Sequence, residues 1–324
     1  MIQRSLDNLK LYALVPAYNE ADLIEDFIKT LDEKLSEFAA DRTIIVVDDG
    51  SQDKTAEIVR RLSTEYPIHF ISFSRNFGKE AAITAGINAA NDADALVIID
   101  ADFQHPLEVV NQFIEKWLEG YDNIYGIRTR RDQGFLKGFL SSSFYKINKR
   151  IMRIDLPANA GDFRLVDRQV IQAINCLPEA NRFMKGLYAW VGFKGCPVNY
   201  TVAERAGEGT SKWGYLKLFE LAITGITAFS DIPLRFVSML GFFVSFISIL
   251  YGIFIIVEKL VFGIPLQGWA TIAASIMFFG GIQLISIGVL GEYISRIFNE
   301  VKQRPTYIVD RRTSIDKKEK DTKK

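Results

Sequence analysis

Two aspartates one residue apart, Asp100 and Asp102, directly follow the apolar residues 97–99. A strand that is apolar on both faces is typical of a buried position in an α/β sheet, and ligands bind at the carboxyl ends of such strands. Two carboxylates this close repel each other unless a cation lies beside them. A few hard oxygen ligands favour Mg²⁺ or Mn²⁺, which keep several waters and share a substrate's phosphates. The alternative is a pair of solvated loop aspartates.

Further polar clusters follow other apolar segments of strand length. Three of these apolar segments are residues 11–15, 43–47 and 68–73, and the fourth, 95–99, precedes the aspartate pair. A helical pattern follows the first three of them. Repeated strand-loop-helix units predict an α/β fold with a doubly wound, mainly parallel sheet. All the polar clusters should then lie at one edge of that sheet.

The polar clusters could bind a nucleotide, although neither a GxGxxG nor a Walker sequence is present. Glu20 and Asp49 can accept hydrogen bonds from a ribose or a base edge, and Tyr18 can stack on a base. Arg75 and Lys79 can contact phosphates. Each residue taken singly is also typical of a turn or a helix cap, so the residues alone leave both interpretations open.

Two long uncharged stretches predict a membrane hairpin. Residues 236–257 carry no charged side chain over about 22 residues, which is what a bilayer core of about 30 Å requires. A second stretch, 260–291, contains an early glycine and proline, so its spanning part is expected at 269–290. Buried core helices are the alternative, but they rarely run so long without a charge.

Positive charge predicts the orientation of the hairpin. The link 258–268 contains one lysine, whereas the tail after residue 296 contains nine lysines and arginines, Lys302, Arg304, Arg311, Arg312, Lys317, Lys318, Lys320, Lys323 and Lys324. The tail and the N-terminal domain should therefore lie on the cytoplasmic side of the inner (plasma) membrane. Residues 311–324 have the composition of a disordered segment near anionic lipid.

Net charge, glycine positions and amphipathic patterns bear on three further partners: nucleic acid, a second copy of the chain and the bilayer surface. The formal net charge of +0 predicts no attraction to nucleic acid. Glycines in the second stretch would allow close helix packing and a homo-oligomer. Amphipathic patterns at 136–154 and 215–230 fit either helices lying on the bilayer surface or helices packed on the protein core.

Several motifs together resemble the inverting family 2 glycosyltransferases, which have the GT-A fold. Residues 15–20 read VPAYNE, residues 47–51 read VDDGS and residues 100–106 read DADFQHP. Three further motifs narrow the resemblance to bactoprenol glucosyltransferases and, more distantly, dolichol-phosphate mannose synthases. These are RNFGKE at 75–80, GDFRL at 161–165, and GVLGEYISR at 288–296 with RPTY after it. The resemblance covers nearly the whole chain.

The resemblance implies a role for each matched residue. The uridine of a UDP-sugar would be held by Pro16, Tyr18, Glu20, Val47 and Asp49. The metal, and through it the diphosphate, would be held by Asp100, Asp102 and Gln104, while His105 either contacts the diphosphate or only shapes the turn. Phosphates of donor and acceptor would be contacted by Arg128, Arg205 and Lys212, with Ser211 as the alternative to Lys212.

The implied reaction moves a sugar, expected to be glucose, from a UDP-sugar to undecaprenyl or another polyprenyl phosphate, and the lipid-linked sugar would modify the cell envelope. Asp162, with Arg164 in the same motif, is the family's expected catalytic base. A phosphate monoester has a second pKa near 6, however, so much of the acceptor is already fully ionised at neutral pH. Asp162 therefore either removes a residual proton or aligns the substrates.

The predicted organisation is a GT-A catalytic domain at 1–210, an interfacial helix or linker at 211–234, a membrane hairpin at 235–291 and a basic tail at 292–324. Two other functions remain possible. A processive polysaccharide synthase would need a channel of many spans and a Gln-x-x-Arg-Trp motif, which the sequence lacks. A noncatalytic scaffold that binds nucleotide would tolerate damaged acidic positions, yet Asp100, Asp102 and Asp162 are intact.

Overall fold

The computed structural model describes residues 4–128, 160–179, 182–201, 232–262 and 268–315. The chain divides into two units. The first contains residues 1–214 together with 304–324, and the second contains residues 215–303. The predicted amphipathic segments at 136–154 and 215–230 lie outside the described residues.

Seven described strands of the first unit form one sheet in the order β3-β2-β1-β4-β6-β5-β7. Their bounds are β1 Lys10–Ala17, β2 Asp41–Asp48, β3 Ile68–Ser72, β4 Ala95–Ile98, β5 Asn123–Arg128, β6 Ala160–Asp167 and β7 Gly195–Tyr200. Strands β1 to β4 pair in parallel, as do β5 and β7. Strand β6 runs antiparallel to β4 and β5, between which it lies. The predicted mainly parallel α/β sheet is thus confirmed.

Most helices of the first unit alternate with strands and bury one face, whereas α3 is buried on all sides from Ala81 to Ile87. The helices of the first unit are α1 Ile24–Ser36, α2 Thr55–Leu62, α3 Lys79–Ala89, α4 Val109–Leu118, α5 Arg168–Asn175 and α6 Met184–Trp190. In α1 the apolar residues recur every three or four positions, and Ile24, Phe27, Leu31 and Leu35 are fully buried. The central strands are apolar on both faces, so β4 is buried along its whole length.

The second unit contains two long apolar helices, α7 Ile232–Phe262 and α8 Trp269–Val301. Within them, Leu234–Phe254 and Ala274–Val301 are long and apolar enough to cross a membrane, by length and composition. Large apolar side chains stand exposed along both helices, such as Phe242 at 76% and Met277 at 79%. An apolar surface of this extent is costly in water and marks a membrane or protein contact. Two candidate spans therefore stand where the sequence predicted them.

The chain that follows α8 belongs to the first unit. Val309 and Ile315 form isolated antiparallel bridges with Phe73 and Phe70, at the outer edge of β3. The prediction of a disordered segment from residue 311 onward is therefore wrong for residues 311–315. Its basis was composition, but backbone pairing with a free strand edge needs little apolar side-chain area.

Candidate active site

The loops after β1, β2, β3 and β4, with the start of α3, line a cavity of about 290 Å³. Its lining residues are Pro16, Ala17, Tyr18, Glu20, Asp49, Asn76, Gly78, Lys79, Ala82, Asp100, Ala101 and Asp102. Parallel strands end at the same edge of a sheet, which is why clusters far apart in sequence meet here. The structure thus brings most residues of the predicted donor and metal sites into one cavity.

Lys79, the first residue of α3, lies between two carboxylates at this cavity. Its Nζ atom is 2.7 Å from Oδ1 and 2.8 Å from Oδ2 of Asp100. The same atom is 3.0 Å from Oδ2 of Asp162. Burial opposes the charge on Lys79, but the two carboxylates outweigh it and raise the lysine pKa. A positive charge is therefore held where the metal-binding and catalytic motifs meet.

His105 supports Asp100 from the interior. The His105 side chain is buried, and its Nε2 lies 3.5 Å from Oδ2 of Asp100. Its ring stacks on Phe163 of β6, with 4.7 Å between the ring centroids. Burial alone would raise the pKa of Asp100, but His105 and Lys79 outweigh burial and hold that pKa well below its usual range. His105 therefore supports the Asp100 carboxylate. Because its side chain is buried, it is not available to contact a diphosphate in the cavity.

The donor set at the end of β4 fits a hard divalent cation that is shared with a substrate. Asp100 and Asp102 both line the cavity, and the backbone N–H of Gln104 donates to Oδ1 of Asp102 over 3.1 Å, which fixes the turn. Within the described ranges, no group of three or more His, Cys, Asp or Glu side chains could hold a metal. Two carboxylates, an amide oxygen, substrate phosphates and water are an appropriate ligand set for Mg²⁺ or Mn²⁺.

Asp162 stands on β6, which the antiparallel pairing places beside β4. Burial would raise the pKa of its carboxyl group, but Lys79 and Lys185 outweigh burial and lower it. Its second oxygen, Oδ1, is buried and has no hydrogen-bond partner among the described residues. The carboxylate is therefore ionised, and Oδ1 is an acceptor that the described residues leave unused. Asp162 itself is not among the residues that line the cavity, and Lys79 links it to that cavity.

Arg164 lies in the interior behind Asp162 and does not line the cavity. Its guanidinium carbon is 3.6 Å from the ring centroid of Tyr188, and Nη2 donates to the carbonyl of Gly161 over 2.8 Å. Burial lowers the pKa of this arginine. The structure therefore places Arg164 where it holds the start of β6, the part of the strand that carries Asp162.

Glu80 and Tyr188, which the sequence did not predict as site residues, lie beside Asp162 and Arg164. Oε2 of Glu80 accepts a hydrogen bond of 3.0 Å from the backbone N–H of Met184, at the start of α6. Burial, with a contribution from the charge of Asp162, raises the pKa of Glu80 to about 7. The available signal was the position of Glu80, which directly follows Lys79 in the RNFGKE motif.

Asp49 and Gly50 shape the loop that follows β3. The Asp49 carboxylate accepts hydrogen bonds from the backbone N–H groups of Phe77, at 2.6 Å, and Gly78, at 2.9 Å. Burial raises the pKa of Asp49, although these two bonds oppose the shift. Gly50 has φ +68, and a Cβ atom there would lie 2.4 Å from the carbonyl carbon of Arg75. Both residues therefore hold the two loops in close contact.

The other predicted site residues either do not line the cavity or lie outside the described residues. Val47 is fully buried within β2, so its side chain cannot contact a ligand in the cavity. Arg128, the last residue of β5, donates from Nε to the hydroxyl of Tyr200 over 3.2 Å. The predicted acceptor residues Arg205, Ser211 and Lys212 lie outside the described residues.

Comparison with solved structures gives a distant likeness to the catalytic unit. The structure of glucosyl-3-phosphoglycerate synthase from Mycobacterium tuberculosis, in complex with Mn²⁺, UDP-glucose and phosphoglyceric acid, is 19% identical. The match covers 68% of this chain and 78% of that one, with a TM-score of 0.47.

Sequence comparison gives a much stronger relationship. The SfII prophage-derived bactoprenol glucosyl transferase of Shigella flexneri is 45% identical over 303 residues, which cover 93% of this chain and 97% of the relative. A prophage bactoprenol glucosyl transferase homolog of Escherichia coli is 41% identical, and the match covers 94% and 99% of the two chains. The family model for glycosyl transferase family 2 matches residues 12–174, and the model for the GtrB C-terminal hairpin matches residues 232–297. The chain therefore belongs to glycosyltransferase family 2, in the group that carries this hairpin, and it is a glycosyltransferase.

Proposed function

We propose that this glycosyltransferase moves glucose from UDP-glucose to the phosphate of a polyprenyl phosphate, with inversion at the anomeric carbon. The observation that carries the proposal is the relationship along nearly the whole chain to proteins named bactoprenol glucosyl transferase. The acidic residues that such a reaction needs, Asp100, Asp102 and Asp162, are intact. Asp100 and Asp162 both pair with Lys79, and Asp102 lines the same cavity as Lys79.

The nucleotide-sugar donor would occupy the cavity at the strand ends. Tyr18, 43% exposed, is available to stack on the base, and Glu20 lies next to it at the rim. Asp100 and Asp102, with the amide of Gln104, would hold Mg²⁺ or Mn²⁺. When bound, the cation would neutralise the charge that develops on the leaving diphosphate.

The acceptor phosphate would attack from the Asp162 side of the cavity. One of its oxygens forms the bond to the anomeric carbon while the bond from that carbon to the diphosphate breaks, and UDP leaves. Lys79 can pair with the phosphates of either substrate, because it reaches from Asp100 to Asp162. Asp162 would orient the acceptor or the sugar hydroxyls. Arg205 with Lys212 or Ser211 would bind the acceptor phosphate.

The proposed setting is the cytoplasmic leaflet of the inner membrane. Helices α7 and α8 would form the hairpin, and the positive charge after residue 296 supports a cytoplasmic position for the catalytic domain. Segments 136–154 and 211–234 are proposed to lie at the bilayer surface, where they would bring the lipid phosphate to a site built for a soluble donor.

The test is direct transfer by the full-length protein in membranes. Labelled UDP-glucose, UDP-N-acetylglucosamine and UDP-galactose are each incubated with undecaprenyl phosphate and Mg²⁺ or Mn²⁺, and the lipid product is extracted and identified. We expect product from UDP-glucose, with inverted anomeric configuration. Product from another UDP-sugar, with none from UDP-glucose, would correct the donor. Absence of lipid product from the whole panel would refute the proposed acceptor.

The metal requirement is tested with a conservative variant. Asp102→Asn preserves side-chain size and should lower activity at least 100-fold, because a neutral amide binds a hard cation poorly. The matched control is Asp26→Asn, at an exposed position on α1, which should behave as the wild type. If Asp102→Asn remains fully active in EDTA, the metal assignment is wrong.

A further inference from the structure

The segment that follows the second candidate span covers the outer edge of the catalytic sheet. Strand β3 is the last strand on one side of the sheet, so one of its backbone edges is free of other strands. Ile315 exchanges two backbone hydrogen bonds with Phe70, of 2.8 and 3.1 Å. The ring of Tyr307 stacks on Phe73, with centroids 4.9 Å apart. The segment 307–315, which we call the return segment, is therefore attached at Ile315 to β3 and at Tyr307 to Phe73, the residue that directly follows β3.

Ser72, the last residue of β3, is held by the return segment. Its backbone N–H donates to Oγ of Ser314 over 3.0 Å, and its carbonyl accepts from the N–H of Asp310 over 2.8 Å. Asp310 in turn accepts from Arg312 and Thr313, which closes the turn of the segment. Both backbone groups of Ser72 thus depend on the return segment.

Hydrogen bonds connect Ser72 to the loops that line the donor cavity. Its hydroxyl donates to Oδ2 of Asp48 over 3.0 Å, in a buried contact. Oδ1 of Asp48 accepts from the N–H of Ser51 over 3.1 Å. Oγ of Ser51 accepts from the N–H of Asn19 over 2.9 Å. Asn19 lies between Tyr18 and Glu20, so a continuous series of hydrogen bonds joins the return segment to the loop that lines the donor cavity.

The return segment also forms part of a second cavity, of about 440 Å³, next to the first. Asp310 and Thr313 line it together with Asp48 and Arg75. Tyr18 and Asn76 line both cavities. The two cavities are therefore adjacent at Tyr18, the side chain that is available to stack on a base.

We propose that the return segment is part of the donor site and that Ser314 is a positioning residue for nucleotide binding. It acts through Ser72 and Asp48, and it holds the loops that carry Tyr18 and Asp49 in the shape that binds a nucleoside diphosphate. This inference rests on the proposed use of a UDP-sugar. Only five residues separate the end of α8 from Tyr307, so the return segment begins shortly after the second candidate span in the sequence.

The first test measures binding of UDP to the full-length protein in detergent by calorimetry, in parallel with steady-state kinetics. Ser314→Ala should raise the Kd of UDP and the KM of the donor about three- to tenfold, the size of one neutral hydrogen bond, and leave kcat within about twofold. Ser314→Thr keeps the hydroxyl and should restore most of the affinity. Thr306→Ala, just before the return segment, is the matched control and should bind UDP as the wild type does.

A double variant tests the route through Ser72. If Ser314 acts through Ser72, then Ser314→Ala should have a smaller effect on UDP affinity in a Ser72→Ala protein than in the wild type. Unchanged UDP affinity in Ser314→Ala, or a fall in kcat at constant affinity, overturns the inference. Failure of the wild type itself to bind UDP would instead refute the proposed donor, so the two failures are distinguishable.

Hydrogen exchange of the wild-type protein gives a test that needs no variant. Addition of UDP should slow amide exchange in peptides that cover 307–315, because a bound nucleotide would stabilise the loops to which the segment is hydrogen-bonded. Exchange in α4, on a part of the sheet distant from β3, should not change. Slower exchange in the donor loops with no change in 307–315 would contradict the inference.

Discussion

Replacement of Asp162 by asparagine separates base catalysis from positioning. A free aspartate has a pKa of 3.8, and Lys79 with Lys185 lowers the pKa of Asp162 further, despite its burial. The second pKa of a phosphate monoester is near 6. Proton transfer from the acceptor to Asp162 would therefore cross a gap of more than about 2 pKa units, or roughly 3 kcal/mol uphill. A carboxylate in this environment is a poor base, so we expect it to orient substrate.

The size of the loss follows from the contact that the variant removes. Asparagine keeps the shape of Asp162 but loses the charge-assisted contact of 3.0 Å to Lys79. Hydrogen bonds to charged groups contribute about 1.5–3 kcal/mol. We therefore expect kcat/KM of Asp162→Asn to fall about 10- to 100-fold, by the same factor from about pH 5.5 to 8.5. The factor is constant because the geometry of an amide does not depend on the ionisation of the acceptor.

The assay measures kcat/KM against pH for wild type, Asp162→Asn and the exposed control Asp26→Asn, with a short-chain polyprenyl phosphate and saturating metal. If Asp162 must remove a proton, the variant should be most impaired at low pH, where the acceptor is monoprotonated, and should recover as pH rises through about 6. A recovery of tenfold or more, about 1.4 kcal/mol in the barrier, would refute positioning and establish a general base.

Three further predictions concern topology and stability. Cysteines introduced at Gln267 and Thr322 should react with an impermeant reagent from opposite sides of sealed vesicles, and reaction of both from one side would exclude the hairpin. Gly50→Ala should lower the Tm and weaken UDP binding, because φ +68 and a contact of 2.4 Å leave no room for Cβ; a wild-type Tm would contradict this. Trp117→Phe should lower the free energy of unfolding by about 1–3 kcal/mol, since Nε1 donates to buried Asp167 over 2.9 Å; an unchanged denaturation midpoint would contradict the reasoning.

The sequence by itself determined the fold class, the candidate spans and the side of the sheet that carries the site. Strand and helix periods are local properties, and repeated strand-helix units with short connections permit few topologies. The length of an uncharged stretch is equally local, so the positions of α7 and α8 could be predicted. Polar residues such as Tyr18, Asp49 and Asp100 could be placed together because parallel strands end at a common edge.

Only the tertiary structure decided which of these residues touch. Strand β6 enters antiparallel between β4 and β5, and this pairing brings Asp162 next to Lys79 and buries Arg164 behind it. The pairing of β2 with β1 and β3 leaves Val47 within the sheet. Residues 311–315 of the return segment were predicted from composition to be disordered, because pairing with a free strand edge uses backbone groups and leaves little mark on the side chains that pair there. Contacts between distant segments depend on strand order and edge exposure, which residue patterns within one segment do not encode.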